Sequence, residues 1–212
     1  MVPKTRELRA LTIAGFDPSG GAGVLADALT FSAFGLQPRA VITSITSQNS
    51  SRVFSLVNQT AESVRAQLEP LLAEGGVVCL KLGMLPTRAV VLEVARLLRD
   101  SGLPRAVLDP VIISTSGFRL MDEDALPVLI EELLPLVQVI TPNIPEAETL
   151  TGMTIASESD MHQAALVLRN LGARAVLIKG GHLGARASWP PSFVNENAGR
   201  MPALPGGNEN VG

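Results

Sequence analysis

Short, nearly continuous apolar runs alternate along this chain with longer stretches whose apolar residues recur every three or four positions. Runs of the first kind predict strands covered on both faces, and stretches of the second kind predict amphipathic helices packed over them. The runs place strands at Leu8–Ala14, Ala40–Thr46, Arg52–Val57, Val77–Lys81, Ala106–Leu108, Val137–Ile140 and Ala175–Lys179. The periodic stretches place helices at Gly23–Phe34, Ala61–Glu74, Arg88–Ser101, Asp122–Leu134 and Ser159–Leu171. In the third helix Val90, Val91, Val94, Leu97 and Leu98 fall at helical spacing, leaving Arg88, Glu93, Arg96 and Arg99 elsewhere. Asp122 is placed to cap the fourth helix, and Gly102 and Gly172 to end the helices before them. This alternation predicts an α/β fold with a central, mostly parallel sheet flanked by helices. No repeat and no internal linker interrupts it. After His182 the pattern stops, which predicts an incomplete α/β domain over residues 1–183. Residues 184–212 are rich in Pro, Gly and Asn and read as a loop-like tail, with Trp189 exposed or loosely packed in it.

Composition narrows the picture. A chain of 212 residues, 46% hydrophobic and 17% charged, is long enough for one well-buried domain and short for two. Its net charge of −3 and lack of a basic block give no electrostatic reason to expect nucleic acid or an anionic membrane as a partner. No apolar run reaches the roughly 18–20 residues of a spanning helix, and Met1–Ala10 lacks the apolar core of a signal peptide. The single cysteine, Cys79, cannot form an internal disulfide and suits a reducing compartment. Within Val77-Val78-Cys79-Leu80 it reads as a buried, inert thiol. The expectation is a soluble, cytoplasmic protein.

Candidate chemistry begins at Gly15-Phe16-Asp17-Pro18-Ser19-Gly20-Gly21-Ala22-Gly23, between a predicted strand and a predicted helix. Glycines there allow a sharp turn and a close approach to a ligand, or simply a tight connection. The spacing of Gly15 and Gly20 suits a P-loop, but Gly21 and Ala22 stand where Lys and Ser/Thr are required. Gly21-Ala22-Gly23-Val24-Leu25-Ala26 formally fits a dinucleotide fingerprint. Against it, the loop is too long, and the second strand runs into Ser47-Gln48-Asn49 instead of an acidic ribose partner.

The run Thr12–Gly23 with Ala26-Asp27 resembles the N-terminal signature of the hydroxymethylpyrimidine/phosphomethylpyrimidine kinase family, which is ribokinase-like. Similar blocks follow in order: Val41-Ile42-Thr43 with Gln48-Asn49, Lys81–Leu85, Leu108–Val111, Ser116-Gly117, Ile140–Glu148 and Lys179–His182. The likeness spans about Leu11 to Leu183, and its strength lies in the ordered succession. Phe16 departs from the small or hydroxylated residue usual at that place.

The resemblance implies ATP-dependent, magnesium-assisted phosphorylation of an aminopyrimidine alcohol and its monophosphate in thiamin biosynthesis, by a homodimer. It places Gly15, Ala22, Asp27, Gln48, Met84 and Val111 around the acceptor. A carboxamide offers a donor and an acceptor complementary to an aminopyrimidine edge, which suits Gln48; without the resemblance, Gln48 reads as a strand-end residue bonding backbone. Asp27 could equally support the loop, and Met84 and Val111 could be ordinary core. Asn143 and Lys179 are implied to meet nucleotide, and Glu146 with Asp109 to hold magnesium, which prefers oxygen ligands. The alternatives are a helix cap at Asn143–Glu146 and a merely solvated Lys179. His162 and His182 have neither metal-ligand spacing nor a nucleophile partner and read as structural. The family's Gly-Thr-Gly-(Cys/Asp) loop, whose last residue is the base, is not found after Lys179, so no catalytic residue is assigned. Loss of those last sheet elements is expected to expose a core edge. Two other readings are a non-catalytic pyrimidine-binding module and a pyridoxal-type vitamin kinase.

Overall fold

The computed structural model describes residues 8–114 and 116–180 together with the backbone of 192–194. The expectations for His182, Trp189 and most of the tail lie outside the described residues. At the centre is β1 (Arg9–Phe16), whose six inner residues are all buried. Leu11 and Ile13 point into the main core, and the small Ala10, Thr12 and Ala14 alternate with them. Helix α1 (Gly23–Ala33) follows and lies against β1 and β2 (Gln37–Gln48), with Val24 buried. An antiparallel edge strand, β3 (Val53–Asn58), then turns the chain back.

The chain next crosses to the other side of β1 through α2 (Ala61–Glu74) and enters β4 (Val77–Leu82). From there α3 (Arg88–Asp100), β5 (Val107–Leu108), α4 (Ala125–Val128), β6 (Val139–Ile140), α5 (Ile144–Thr151), α6 (Glu158–Asn170) and β7 (Ala175–Ile178) follow. The strand β8 (Ser192–Val194) pairs antiparallel with β7, so three residues of the expected loop-like tail are strand. The sheet order is β3-β2-β1-β4-β5-β6-β7-β8, parallel except at its two edges. One continuous core joins Leu68 of α2, Val90 and Val94 of α3, Leu129, Leu133 and Leu168 of α6 against the sheet.

Four further sequence expectations change. The strand ending at Thr46 continues to Gln48, because Ser44–Gln48 finds a partner in β3. The helix expected from Asp122 starts at Ala125; the Asp122 amide donates to the Pro86 carbonyl at 2.8 Å, and Asp124 is the N-cap without a side-chain bond. That helix continues as a π turn (Leu129–Leu133) and a 3-10 turn (Leu134–Leu136) holding Pro135, which cannot donate to a helical ladder. Helix α5 stands outside the expected helices, although Asn143–Glu146 reads as a helix cap. Finally, Glu93 is buried in α3 despite lying off the apolar stripe, held by Arg65 and Arg96.

Candidate active site

In this sheet β1 has β2 on one side and β4 on the other, so the chain order reverses beside β1. Such a reversal opens a crevice at the C-terminal ends of the strands. The loop after β1 closes on itself there. Gly23 has φ +61°, and a Cβ on it would lie 2.2 Å from the Gly15 carbonyl oxygen. Only glycine permits that approach. Asp17 is buried, and its Oδ1 accepts from the Ser19 amide at 2.8 Å and the Ser19 hydroxyl at 2.7 Å. The Thr46 hydroxyl donates to the Phe16 carbonyl at 2.9 Å, and the Thr43 hydroxyl to that of Met84 at 2.6 Å. These bonds tie the end of β2 to β1 and to the loop that follows β4.

They frame a cavity of about 110 Å³ lined by Gly15, Phe16, Asp17, Ala22, Gly23, Thr46, Gln48, Lys81, Met84, Asp109, Val111 and Leu120. Gly15, Ala22, Gln48, Met84 and Val111 thus come together from four separate blocks of sequence. A side chain at Gly15 would collide with Met84, its Cβ falling 2.9 Å from the Met84 methyl. Asp27 is not among the lining residues. Its Oδ2 accepts from the Thr12 hydroxyl at 2.5 Å and from Lys81 Nζ at 2.9 Å. Lys81 also lines the cavity; it opens the Lys81–Leu85 block but is not among the residues the sequence assigns to the site. The signal was present: a lysine in a buried strand needs an anionic partner. Cys79, two residues earlier, is half-buried, and burial pushes its thiol up, away from nucleophilic use.

A second cavity of about 320 Å³ opens at the ends of β5 and β6, lined by Ile112, Ile113, Ser114, Gly117, Asn143, Pro145, Glu146 and Thr149. Asp109, which also lines the first cavity, bridges toward it: its Oδ1 accepts from Lys179 Nζ at 2.8 Å and from the Thr141 hydroxyl at 3.3 Å. The Lys179 amide donates to the Pro142 carbonyl at 2.8 Å, fixing the end of β7 beside Asn143. Asn143 and Glu146 form a reciprocal cap on α5. The Glu146 amide donates to Asn143 Oδ1, and the Asn143 amide donates to a Glu146 carboxylate oxygen, both at 2.8 Å. The cap geometry and a ligand role share the same atoms. Burial pushes the Glu146 carboxyl up, and the Asn143 amide and the Lys179 charge oppose that shift.

Among the described residues no group of three His, Cys, Asp or Glu side chains could hold a metal ion by itself. Magnesium keeps several waters and takes one or two carboxylates, so Asp109 and Glu146, both beside Lys179, have the donor chemistry it needs. His162 Nδ1 lies 3.1 Å from the Glu158 carbonyl one turn back and is exposed, away from both cavities.

Comparison with known proteins gives a consistent result. The family described as phosphomethylpyrimidine kinase matches residues 17–198. The hydroxymethylpyrimidine/phosphomethylpyrimidine kinase of Rhizobium meliloti is 44% identical over 195 residues, covering 92% of this chain and 73% of that protein. The enzyme of the same name from Haemophilus influenzae is 42% identical, covering 82% of this chain. Only 65% of that relative's length is spanned, a little under two thirds. The crystal structure of a phosphomethylpyrimidine kinase from Clostridium difficile superposes with a TM-score of 0.82 at 40% identity, covering 91% of this chain and 82% of that one. A Bacillus subtilis pyridoxal kinase solved as an ADP complex gives a TM-score of 0.79 at 33% identity, covering 91% and 72%.

Proposed function

Because this chain belongs to the phosphomethylpyrimidine kinase family, we propose that it binds 4-amino-5-hydroxymethyl-2-methylpyrimidine and its monophosphate and serves their ATP-dependent phosphorylation in thiamin biosynthesis. The observation that carries this reading is the first cavity. Gln48 closes one side, the apolar Gly15, Ala22, Met84 and Val111 form walls, and the Asp109–Lys179 pair lies toward the second cavity. Gln48 supplies a donor and an acceptor to the aminopyrimidine edge, and the walls sandwich the ring. Lys179 and Asn143 meet the nucleotide phosphates. Asp109 and Glu146 would hold magnesium, which would neutralise phosphate charge.

In the reaction so read, the acceptor oxygen attacks the γ-phosphorus of ATP. The new P–O bond forms as the bond to the ADP oxygen breaks; the alcohol gives its hydroxyl proton to solvent, and the monophosphate attacks through an ionised phosphate oxygen. Transfer of this kind rests mainly on positioning and charge compensation. Those are the tasks the described residues suit, and no base is assigned among them. A homodimer fits the same reading: Ile45 and Val57 lie opposite each other on the β2–β3 edge and are both exposed.

Calorimetric titration with the aminopyrimidine alcohol is expected to show binding that weakens by about 1–3 kcal/mol in Gln48→Ala. Unchanged affinity would remove Gln48 from the site. A coupled assay with ATP separates a working kinase from a non-catalytic pyrimidine-binding module, which turns over nothing. The pyridoxal kinase likeness motivates a competition titration; tighter binding of pyridoxal than of the pyrimidine would favour that second reading.

A further inference from the structure

Lys81 and Asp27 have no part in the chemistry just described, yet three elements converge to place one ammonium group. We propose that Lys81 is the specificity-determining cation of the acceptor cavity, meeting the phosphate of a phosphorylated acceptor, and that Asp27 is a positioning residue acting through Lys81. The proposal rests on the acceptor reading above and assigns a task to two residues within it.

The pair is largely enclosed, with side-chain exposures of 21% for Lys81 and 16% for Asp27. Thr12 from β1 donates to the same Asp27 oxygen that accepts from Lys81, so the carboxylate is held from two directions. Gly83 completes the arrangement: a Cβ there would fall 2.8 Å from Lys81 Nζ and 2.8 Å from the Ala14 methyl. Any side chain at 83 would push the ammonium aside. An enclosed ion pair of this kind adds little stability over an apolar pair of the same size. What it does supply is an ammonium at the cavity wall. A lysine has three donors; Asp27 takes one and leaves two for a ligand.

The cavity needs that cation only for a charged acceptor. Asp17 and Asp109 bring two carboxylates to its lining, and among the described residues Lys81 is its only cation. The neutral alcohol makes no demand on it. A phosphate monoester carries about −1.5 to −2 charges near pH 7; Lys179 compensates Asp109, but without Lys81 the phosphate would meet Asp17 in the lining and Asp27 behind it with no cation against either. A pair retained only to satisfy a buried lysine would affect both ligands alike.

The test is titration of the full chain with the aminopyrimidine alcohol and, separately, with its monophosphate, in magnesium-free buffer. In Lys81→Met the ratio of monophosphate affinity to alcohol affinity is expected to fall about 10- to 100-fold, the scale of a charge-assisted contact. Lys81→Arg is expected to restore most of the ratio. Asp27→Asn, which keeps a partner for Thr12, is expected to lower it less than Lys81→Met does. An unchanged ratio in Lys81→Met overturns the inference while leaving the acceptor reading intact, as does equal weakening of both ligands. If Lys81→Met does not unfold cooperatively, the ratio in Lys81→Gln decides by the same criterion. Binding of neither ligand by the wild-type chain overturns the acceptor reading and this inference together.

Discussion

Glu146 serves two demands with one carboxylate. It caps α5 by accepting from the Asn143 amide, and it stands beside Lys179 and Asp109 where a metal is proposed. Burial raises its folded-state pKa above the unfolded value, so its ionised form costs stability. The contribution is favourable below the unfolded pKa and is lost as pH rises through the folded one. Glu146→Gln keeps an oxygen for the Asn143 amide and removes the charge. Thermal unfolding at pH 7 is therefore expected to show a melting temperature equal to or above that of the wild type. The difference should vanish below about pH 4, while magnesium-dependent ATP binding weakens. Gly23 shows a different constraint at the same scale. With φ +61° and the Gly15 carbonyl where a Cβ would go, Gly23→Ala is expected to cost at least about 1–3 kcal/mol in urea unfolding. A loss under 0.5 kcal/mol would mean that the loop closes differently.

At the scale of elements, α3 carries a charge on a face that periodicity marks as outer. Glu93 is buried in it, receiving Arg65 Nε and Nη2 from α2 at 2.8 and 2.7 Å and Arg96 Nη2 at 2.7 Å. These bonds fasten α2 to α3 and hold the Glu93 carboxyl at about 2, well below its ordinary value near 4.5. The sign follows directly: the stabilisation is full above the unfolded pKa and is lost as pH falls from about 4.5 toward 2. Both arginines are nearly half exposed, so solvent discounts the pair. Glu93→Gln is expected to cost about 1–2 kcal/mol at pH 7 in urea unfolding, with the difference shrinking at pH 3. Helix α5 makes the complementary case. Its N-terminus is legible in Asn143-Ile144-Pro145-Glu146, but its eight residues are too few for periodicity to declare a helix.

For the whole molecule, the first cavity lies where the sheet reverses its order, and neither cavity belongs to one element. No helix among the described residues is long and apolar enough to cross a membrane. The exposed Ile45 and Val57, with Phe54 nearby on β3, leave that edge apolar. Sedimentation velocity is expected to show a dimer that Val57→Asp shifts toward monomer. A wild-type chain monomeric across the micromolar range would overturn that assignment.

Apolar alternation determined most of the strands and helices, α5 and β8 excepted, because burial on a sheet depends on local period. The ordered blocks from Thr12 to Lys179 likewise marked the family and most of the cavity wall, since a close backbone approach and a carboxamide edge each demand particular residues at particular places. Tertiary structure decided the rest. Asp27 meets Lys81 across 54 positions, Arg65 meets Glu93 across 28, and Lys179 meets Asp109 across 70. Local period says nothing about which distant partner a charge will find; the crossing of β4 to the far side of β1 brings Lys81 to Asp27, and the placing of β5 and β7 on either side of β6 brings Asp109 to Lys179.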